Sequence, residues 1–339
     1  MTTTTDAPKA KAERGRRRRE SLNDISGWLV LDKPDGLTST EALGKVKRLL
    51  RPRKAGHAGT LDPLATGILP IALGEATKTV PFVVEGRKTY RFTVRWGVAT
   101  DTDDAEGEAI ARSDARPERA AIEALIPDFT GEIMQVPPRF SAIKVNGERA
   151  YDLAREGERV ELAARPVSVH RFALVAVPDA DHAVFDVDCG KGGYVRALAR
   201  DLGERLGCHG HVTALRRTAV GPFVEESAIG LDELAALAEE GLSTALAEAI
   251  HPTEAGLAGL PRIDVDKRGA VRLRRGQSLL LRGPEGLMQG HRMYAMAGDT
   301  LVALGEVENG EFHPVRVFKA GAAARPAADE ATVEFVRGG

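Results

Sequence analysis

The alternation of hydrophobic and polar residues is clearest between residues 88 and 97. One face of an extended chain would carry the apolar residues Tyr90, Phe92, Val94 and Trp96, while arginine and threonine occupy the other. This spacing predicts a strand with one buried face. Shorter apolar runs predict further strands at residues 28–31, 171–177 and 183–189.

Apolar residues recur at helical spacing in five other segments. The first predicted helix has Ser39 or Thr40 as its N-cap and ends near Pro52. The other four are predicted at residues 117–126, 148–156, 194–206 and 231–249. Strands and helices are interleaved without a regular strand–helix–strand repeat, so we predict an α+β fold.

The pattern changes after residue 250. A short linker is predicted first, and then short strands broken by glycine, such as residues 301–304 and 315–318, which indicate a small all-β unit. The Arg-rich start and the Ala/Gly/Pro-rich end cannot build a core. The predicted parts are a disordered basic tail, a main domain, a linker, a β unit and a flexible tail, at residues 1–24, 25–250, 251–261, 262–320 and 321–339.

Composition limits the class of protein. Of the 339 residues, 43% are hydrophobic, which is enough for a sizeable core, yet no apolar run reaches the length of a membrane span. The N-terminal residues lack the apolar segment of a secretory signal, and two cysteines are too few for a disulfide framework. We therefore expect a cytoplasmic protein that does not bind membranes.

Two common kinds of site are not predicted. The sequence has no G-x-x-x-x-G-K-[ST] loop for nucleoside triphosphates. Cys208, His209 and His211 lie close together, but a closed zinc site needs about four ligands and no second pair has suitable spacing. We therefore expect no metal, and we expect Cys208 to be a small buried residue.

Residues 54–69 concentrate glycine and proline around one carboxylate. Gly56, Gly59 and Gly67 permit close backbone approach, and Pro63 disfavours a helical conformation at Asp62. These constraints predict a stiff turn that presents an ionised carboxylate, which can serve as a nucleophile or base. From the spacing alone, an ordinary surface turn is the favoured interpretation.

Two other residues also have open interpretations. Arg196 follows a Gly-rich segment, in the first turn of an apolar helix, where it could pair with a carboxylate or be an ordinary surface arginine. Tyr90 begins the alternating strand and is by default a core tyrosine. Neither position decides between its alternatives.

Basic residues are segregated although the formal net charge is only −2. Residues 45–54 and residues 267–282 each contain six lysines and arginines and no acid. A single run of this kind is usually a solvated face. Two runs, one of them beside the Asp62 turn, favour a surface that binds phosphates.

The string from Lys54 to Leu69 resembles the G-H-x-G-T-L-D-P-x-A-x-G-[IVL]-L motif of the TruB-type bacterial tRNA pseudouridine-55 synthases. A second motif of that family, G-[TG]-Y-[IV]-R, is Gly-Gly-Tyr-Val-Arg at residues 192–196, where Gly193 replaces the usual threonine. Further matches extend over most of residues 27–223, at residues 32–39, 97–104, 135–144, 147–151 and 215–218. The resemblance implies the pseudouridine synthase fold, with a central mixed or antiparallel sheet flanked by helices, and a PUA-type barrel at residues 262–320.

The resemblance also implies roles for individual residues. Asp62 corresponds to the catalytic aspartate, Arg196 to its arginine partner, and Tyr90 to the tyrosine that stacks on the target base. Supporting positions are Lys33 in the wall of the site, Leu215 against the pocket, and His57, which fills the space that the base vacates. The expected RNA-binding residues are His57, Lys54, Arg53, Arg51, Arg48, Lys144, Arg274 and Arg275.

The implied reaction is the isomerisation of uridine to pseudouridine at position 55 in the T loop of tRNA. It exchanges no electrons or groups, so we expect no cofactor, and we expect a monomer that binds the tRNA T arm. Asp62 would attack C1′ or remove a C2′ proton from a flipped-out uridine, and the sequence leaves both routes open. The alternatives are a tRNA-folding chaperone that needs no catalysis, and the RNA-guided branch of the superfamily, for whose partners no feature is evident.

Overall fold

The computed structural model describes residues 22–141, 144–145, 148–149, 162–239, 241, 243–281 and 283–319. Within these ranges lie nineteen strands, which we number β1 to β19 in chain order. They are Gly27–Lys33, Ala55–His57, Ala65–Leu73, Lys88–Trp96, Val98–Thr100, Ala109–Arg112, Gly131–Gln135, Lys144–Val145, Glu148–Arg149, Arg165–Asp179, His182–Cys189, Gly210–Val220, Phe223–Val224, Ile250–His251, Arg262–Asp264, Leu279–Leu280, Arg292–Ala297, Thr300–Glu308 and Glu311–Val317.

The described residues form seven α-helices, numbered α1 to α7 in the same way. They are Ser39–Leu50, Val80–Glu85, Arg119–Leu125, Val195–Arg205, Leu231–Glu239, Thr244–Glu248 and Lys267–Arg274. Short 3₁₀ turns join several of these elements.

A mixed ten-stranded sheet forms the centre of the molecule. Its order is β14-β1-β3-β12-β4-β11-β10-β7, with β2 added beside β3 and β13 beside β12. Only β3 and β12 in this sheet run parallel, and their register sets Ala65 beside Leu215 and Gly67 beside Arg217. The predicted α+β fold with a central mixed sheet is confirmed.

Both faces of the central sheet are covered. On one face α1 and α4 bury Val46, Leu50 and Leu202 against sheet residues such as Leu31 and Phe92. On the other face a smaller cluster forms around Trp28, Val83 and Phe223. Because apolar side chains are buried away from water on both faces of the sheet, the sheet is a rigid support for the loops at its edge.

The strand predicted at residues 88–97 is confirmed at 88–96, and those predicted at 28–31, 183–189 and 301–304 are confirmed with extended bounds. The N-cap prediction for α1 was wrong. Thr38 is the cap, because its hydroxyl accepts a hydrogen bond from the Glu41 amide while the Glu41 carboxylate accepts one from the Thr38 amide. Ser39 is instead buried and faces the Asp62 loop.

The single helix predicted at 231–249 was also wrong. The chain forms α5 and α6, and between them Gly241 has a φ of +80° that a helix cannot accommodate. Ser243 then starts α6 by accepting a hydrogen bond from the Leu246 amide. Of the helix predicted at 148–156, residues 148–149 lie in β9, and the remainder lies outside the described residues.

A second, five-stranded sheet follows the main one, in the order β15-β17-β18-β19-β16, with α7 against its core. It curls into a half-barrel, in keeping with the small β unit expected from the sequence. Residues 250–257 pack on the central sheet: β14 pairs with β1, and Gly256 lies directly against the Trp28 ring. The domain boundaries themselves stay a prediction. In the part of the chain that the structure covers, no helix is both long and apolar enough to cross a membrane.

Candidate active site

The loop between β2 and β3 carries Asp62 and is fixed from three sides. Ser39 of α1 binds both backbone groups of Leu61, accepting from its amide at 2.8 Å and donating to its carbonyl at 3.0 Å. The Pro63 carbonyl accepts from the Gly36 amide at 3.0 Å and from Lys33 Nζ at 3.1 Å. Both neighbours of Asp62 are therefore held, which fixes where its carboxylate points.

Arg196, at the start of α4, holds the Asp62 carboxylate. Its Nη2 lies 2.9 Å from Asp62 Oδ2, and the guanidinium is only 7% exposed, whereas the Asp62 side chain is 38% exposed. The same guanidinium also donates to the carbonyls of Thr102 and Phe140, at 3.0 and 2.9 Å. A carboxylate that is fixed by a buried cation and still partly exposed can be reached by a substrate.

A second carboxylate, Asp104, shares the same guanidinium. Its Oδ2 lies 3.3 Å from Arg196 Nη1, and the side chain is almost fully buried. The Thr102 hydroxyl and the Glu106 amide also donate to Asp104. Asp104 is not among the site residues predicted from the sequence, although the segment at residues 97–104 that resembles the family contains it.

The pKa of Asp62 reflects these neighbours. Burial raises it, and the Arg196 guanidinium opposes that rise, while the nearby Asp104 carboxylate raises it further. The pKa therefore lies above its usual range, and the carboxylate is more basic than that of an exposed aspartate.

Lys33 also helps to hold the Asp62 loop in place. Its fully buried ammonium donates to the carbonyls of Pro34, Leu37 and Pro63, at 2.8, 2.7 and 3.1 Å. Burial lowers the pKa of Lys33. The lysine thus links the loop after β1 to the Asp62 loop.

Tyr90 and Leu215 lie on neighbouring strands. In the central sheet Leu215 on β12 pairs with Phe92 on β4, and Arg217 pairs with Tyr90. Burial raises the pKa of Tyr90, so its hydroxyl stays protonated at neutral pH. Tyr90 is partly exposed, in contrast to the fully buried Phe92 and Val94 on the same strand face.

His57, at the end of β2, begins the same loop. Its Nδ1 is buried and has no hydrogen-bond partner among the described residues. Burial and the positive charge of Arg217 both lower the pKa of His57, so the ring is neutral at physiological pH. A neutral flat ring suits contact with nucleobases.

The basic residues expected to bind RNA fall in two places. Arg51, Arg53 and Lys54, together with Lys47 and Thr77, line an open cleft of about 590 Å³ where α1 meets β2. Arg48 is exposed on α1. In the second sheet unit, Arg274 ends α7 and the exposed Arg275 follows it. The side chain of Lys144 lies outside the described residues.

The cysteine and histidine residues near 208–211 do not converge on a metal. Cys208 is buried, and the His211 ring faces the Val98 carbonyl at 2.9 Å from its Nδ1. Across the described ranges, no three His, Cys, Asp or Glu side chains come together as a metal-binding group.

Two family models match contiguous parts of this chain. The N-terminal domain of TruB family pseudouridylate synthases matches residues 47–195, and the C-terminal domain of tRNA pseudouridylate synthase B matches residues 196–258. The first of these segments includes Asp62, Tyr90 and Asp104, and the second begins at Arg196.

Curated relatives align over most of the chain. The tRNA pseudouridine synthase B of Bradyrhizobium diazoefficiens is 56% identical over 95% of this chain and 94% of its own length. The protein of the same name from Agrobacterium fabrum is 54% identical, over 91% of this chain and 99% of its own length. That of Brucella ovis is 49% identical over 90% and 99%.

Solved structures share the fold. The chain resembles that of a Cbf5-Nop10-Gar1 complex, with a TM-score of 0.68, 27% identity and coverage of 87% of this chain and 85% of that one. An archaeal box H/ACA sRNP Nop10-Cbf5 complex gives a TM-score of 0.66 at 28% identity, covering 89% and 86%. Taken together, the matched domains, the long high-identity alignments and the shared fold establish that this chain belongs to the TruB family of pseudouridine synthases, a family of isomerases.

Proposed function

We propose that this chain converts uridine to pseudouridine at position 55 in the T loop of tRNA, with Asp62 as the catalytic residue. The observation that carries the proposal is the Asp62–Arg196 pair, in which a buried arginine holds a carboxylate that remains partly exposed. The names of the relatives support tRNA as the substrate. We extend the proposal to a cytoplasmic location and a monomeric state. Light scattering of the purified protein would test whether it is a monomer.

The reaction needs one group that can act on the ribose. It breaks the N1–C1′ bond, turns the uracil, joins C5 to C1′, and moves the C5 proton to solvent while N1 gains one. Asp62 acts either by attacking C1′ or by removing a C2′ proton, and both roles require its ionised form. Arg196 keeps that form available although burial raises the pKa.

The target base must leave its stack before Asp62 can reach the ribose. Unstacking and flipping cost a few kcal/mol, which contacts in the site must offset. Tyr90 is the residue that we propose stacks on the flipped base, with Leu215 and the Lys33 loop as walls. His57, neutral and at the start of the loop, is proposed to occupy the gap left in the T loop.

The basic cleft between α1 and β2 is proposed to hold the tRNA backbone. It includes Ala55, which pairs with Leu73 at the end of β3 that lies away from the Asp62 loop, so phosphates bound there would belong to a stretch of the tRNA backbone at a distance from the target base. Lysine and arginine side chains neutralise phosphates without reading sequence. Arg274 and Arg275 on the second sheet unit are proposed to contact a more distant part of the same tRNA.

Release of tritium from unmodified tRNA labelled at uridine C5 tests the proposal. Wild type should release one label per pseudouridine formed, and the pseudouridine mapped in the product RNA should lie at position 55. Asp62→Asn should release no label while still binding tRNA. Asp128→Asn is the matched control, because Asp128 pairs with Arg205 at the surface and should leave the rate unchanged. Release mapped to another position would contradict the assigned site.

The same experiment addresses the chaperone alternative. A protein that only refolds tRNA would accelerate recovery of misfolded tRNA equally well as wild type and as Asp62→Asn. Tritium release by wild type alone would establish catalysis whether or not chaperoning accompanies it. Binding without release by wild type would favour the chaperone.

A further inference from the structure

Arg217, on β12, is a buried cation directly beneath the Asp62 loop. It is 1% exposed, and the described residues offer it no carboxylate within 4.0 Å. Its donors reach backbone carbonyls instead: Ile68 at 2.7 Å, Gly59 at 2.9 Å and Thr60 at 3.4 Å. A buried charge without an opposite charge is costly, so a position that keeps one requires an explanation.

The glycines of the loop motif fit around this arginine. Gly59 and Gly67 both have a φ of +95°, and their backbones lie against Arg217. A Cβ on Gly67 would lie 2.2 Å from the Arg217 carbonyl oxygen, and one on Gly59 would lie 3.4 Å from Arg217 Nη1. The loop is therefore wrapped around Arg217 before the chain reaches Asp62 and again after it.

The same guanidinium also reaches the two aromatic residues of the site. Arg217 and Tyr90 are cross-strand partners in the sheet, so their side chains lie side by side on one face, and the Arg217 charge acts on the Tyr90 hydroxyl. Its charge acts on His57 as well. Three parts of the site, namely the Asp62 loop, the stacking tyrosine and the histidine, thus share one neighbour.

We infer that Arg217 is a positioning residue for the isomerisation: its planar fork fixes the Asp62 loop and Tyr90 in one relative geometry. The inference rests on the proposed function. Arginine suits this task because it spreads several donors in fixed directions, whereas lysine has one compact ammonium group. Displacements of about 1 Å in a reacting group can cost about 100-fold in rate.

Single-turnover kinetics with C5-tritiated tRNA at saturating enzyme test the inference. Arg217→Lys keeps the charge but loses the fork, and we expect a rate constant about 100-fold below wild type, with a tRNA Kd within threefold. Arg216→Lys is the matched control. Arg216 is the next residue of β12, points the other way and pairs with Asp32 and Glu225, so its variant should react at the wild-type rate.

A second measurement separates positioning from folding. Histidine resonances can be followed by NMR, with His57 assigned by its loss in His57→Gln. In Arg217→Met the pKa of His57 should rise, since a neighbouring positive charge has been removed. In Arg216→Lys it should stay at the wild-type value.

The outcomes are distinct. If Arg217→Lys folds and reacts within twofold of the wild-type rate, the inference is overturned. It is also overturned if Arg217→Lys does not fold at any temperature tested, since Arg217 would then serve folding alone. A slow but folded Arg217→Lys, with normal Arg216→Lys and a raised His57 pKa in Arg217→Met, would support it. Absence of release by wild type would count against the proposed function instead.

Discussion

Asp62 and Asp104 lie on either side of one guanidinium, and this arrangement sets the charge balance of the site. Arg196 touches both carboxylates, at 2.9 and 3.3 Å, and is itself buried. One cation cannot fully neutralise two acids, and Asp62, the more exposed of the two, has the raised pKa. Replacing Arg196 or Asp104 should therefore change the pH dependence of the reaction as well as its rate.

Replacing Asp104 with asparagine should move the acid limb of the pH–rate profile to lower pH. In the proposed reaction Asp62 acts as a carboxylate. The Asp104 charge raises the pKa of Asp62, so neutralising Asp104 lowers the pH at which Asp62 is protonated. The rate at neutral pH should fall about 10- to 100-fold, because Arg196 loses an ion-pair partner that helps to hold it in place. Single-turnover rates between pH 4 and 8 measure both effects, and an unchanged acid limb would contradict the coupling.

Arg196→Lys should shift the same limb in the opposite direction. The guanidinium opposes the rise in the Asp62 pKa, so weakening it leaves that pKa higher and moves the acid limb to higher pH. The rate should fall by about 100-fold, since lysine cannot reproduce the fork that holds the Asp62 carboxylate and a displacement of about 1 Å in a reacting group can cost that much. If Arg196→Lys and Asp104→Asn shifted the limb in the same direction, this charge balance would be wrong.

At the residue scale, some residues of the site were predicted from the sequence and others were not. The motif residues Asp62 and Arg196, predicted as partners, lie 2.9 Å apart, although their roles await the experiments above. Asp104 and Arg217 were not identified as site residues. Their position depends on long-range contacts between strands and helices, which local spacing does not encode.

At the scale of elements, α1 does more than cover the sheet. Its N-cap and its first residue have separate tasks: Thr38 caps the helix, and Ser39 binds Leu61 beside Asp62. The sequence predicted the helix and its end near Pro52 but assigned the cap to the wrong residue. A Ser-Thr pair next to Thr38 offers several equivalent caps, and only the packing of the Asp62 loop selects among them.

Adjacent substitutions in α1 separate the two tasks. Thr38→Ala should cost about 1 kcal/mol of unfolding free energy, the usual value for a lost N-cap, with an unchanged rate. Ser39→Ala leaves the buried amide and carbonyl of Leu61 without their partner, which should cost about 1–3 kcal/mol and also slow catalysis. Urea denaturation and single-turnover assays of both variants make the comparison, and equal rates would argue against Ser39 as a support of the loop.

At the scale of the whole molecule, the central sheet and the second sheet unit are tied together. Lys78 donates to Glu75 at 2.6 Å and to the Val317 carbonyl at 2.8 Å, while Glu75 also accepts from the Lys319 amide at 3.0 Å. Apolar contacts of Phe82 and Phe318 lie nearby. The end of β19 is therefore anchored on the 3₁₀ turn that follows β3.

Glu75→Gln should loosen this anchor. Burial opposes ionisation of Glu75, but hydrogen bonds from Lys78 and Lys319 outweigh it and lower its pKa. The charge then stabilises the folded protein above the unfolded-state pKa, and this contribution is lost as pH falls through the folded-state value. Amide exchange of β19 should become about fivefold faster at pH 7 in the variant, corresponding to about 1 kcal/mol. Unchanged exchange would show that the apolar contacts suffice.

The segregation of charge over the whole molecule predicts how binding responds to salt. A chain of net charge −2 binds a polyanion only if its cations are gathered on the contact surface, and the cleft lined by Arg53 and Lys54 is such a surface.

Each lost phosphate contact reduces the slope of log K against log salt by about 0.7 to 0.9. Arg53→Gln and Lys54→Gln should therefore each weaken tRNA binding and flatten the slope by that amount, with an unchanged rate at saturating enzyme. Arg119→Gln, which removes a surface cation paired with Glu123, should do neither. Equal slopes in all variants would move the phosphate contacts to another surface.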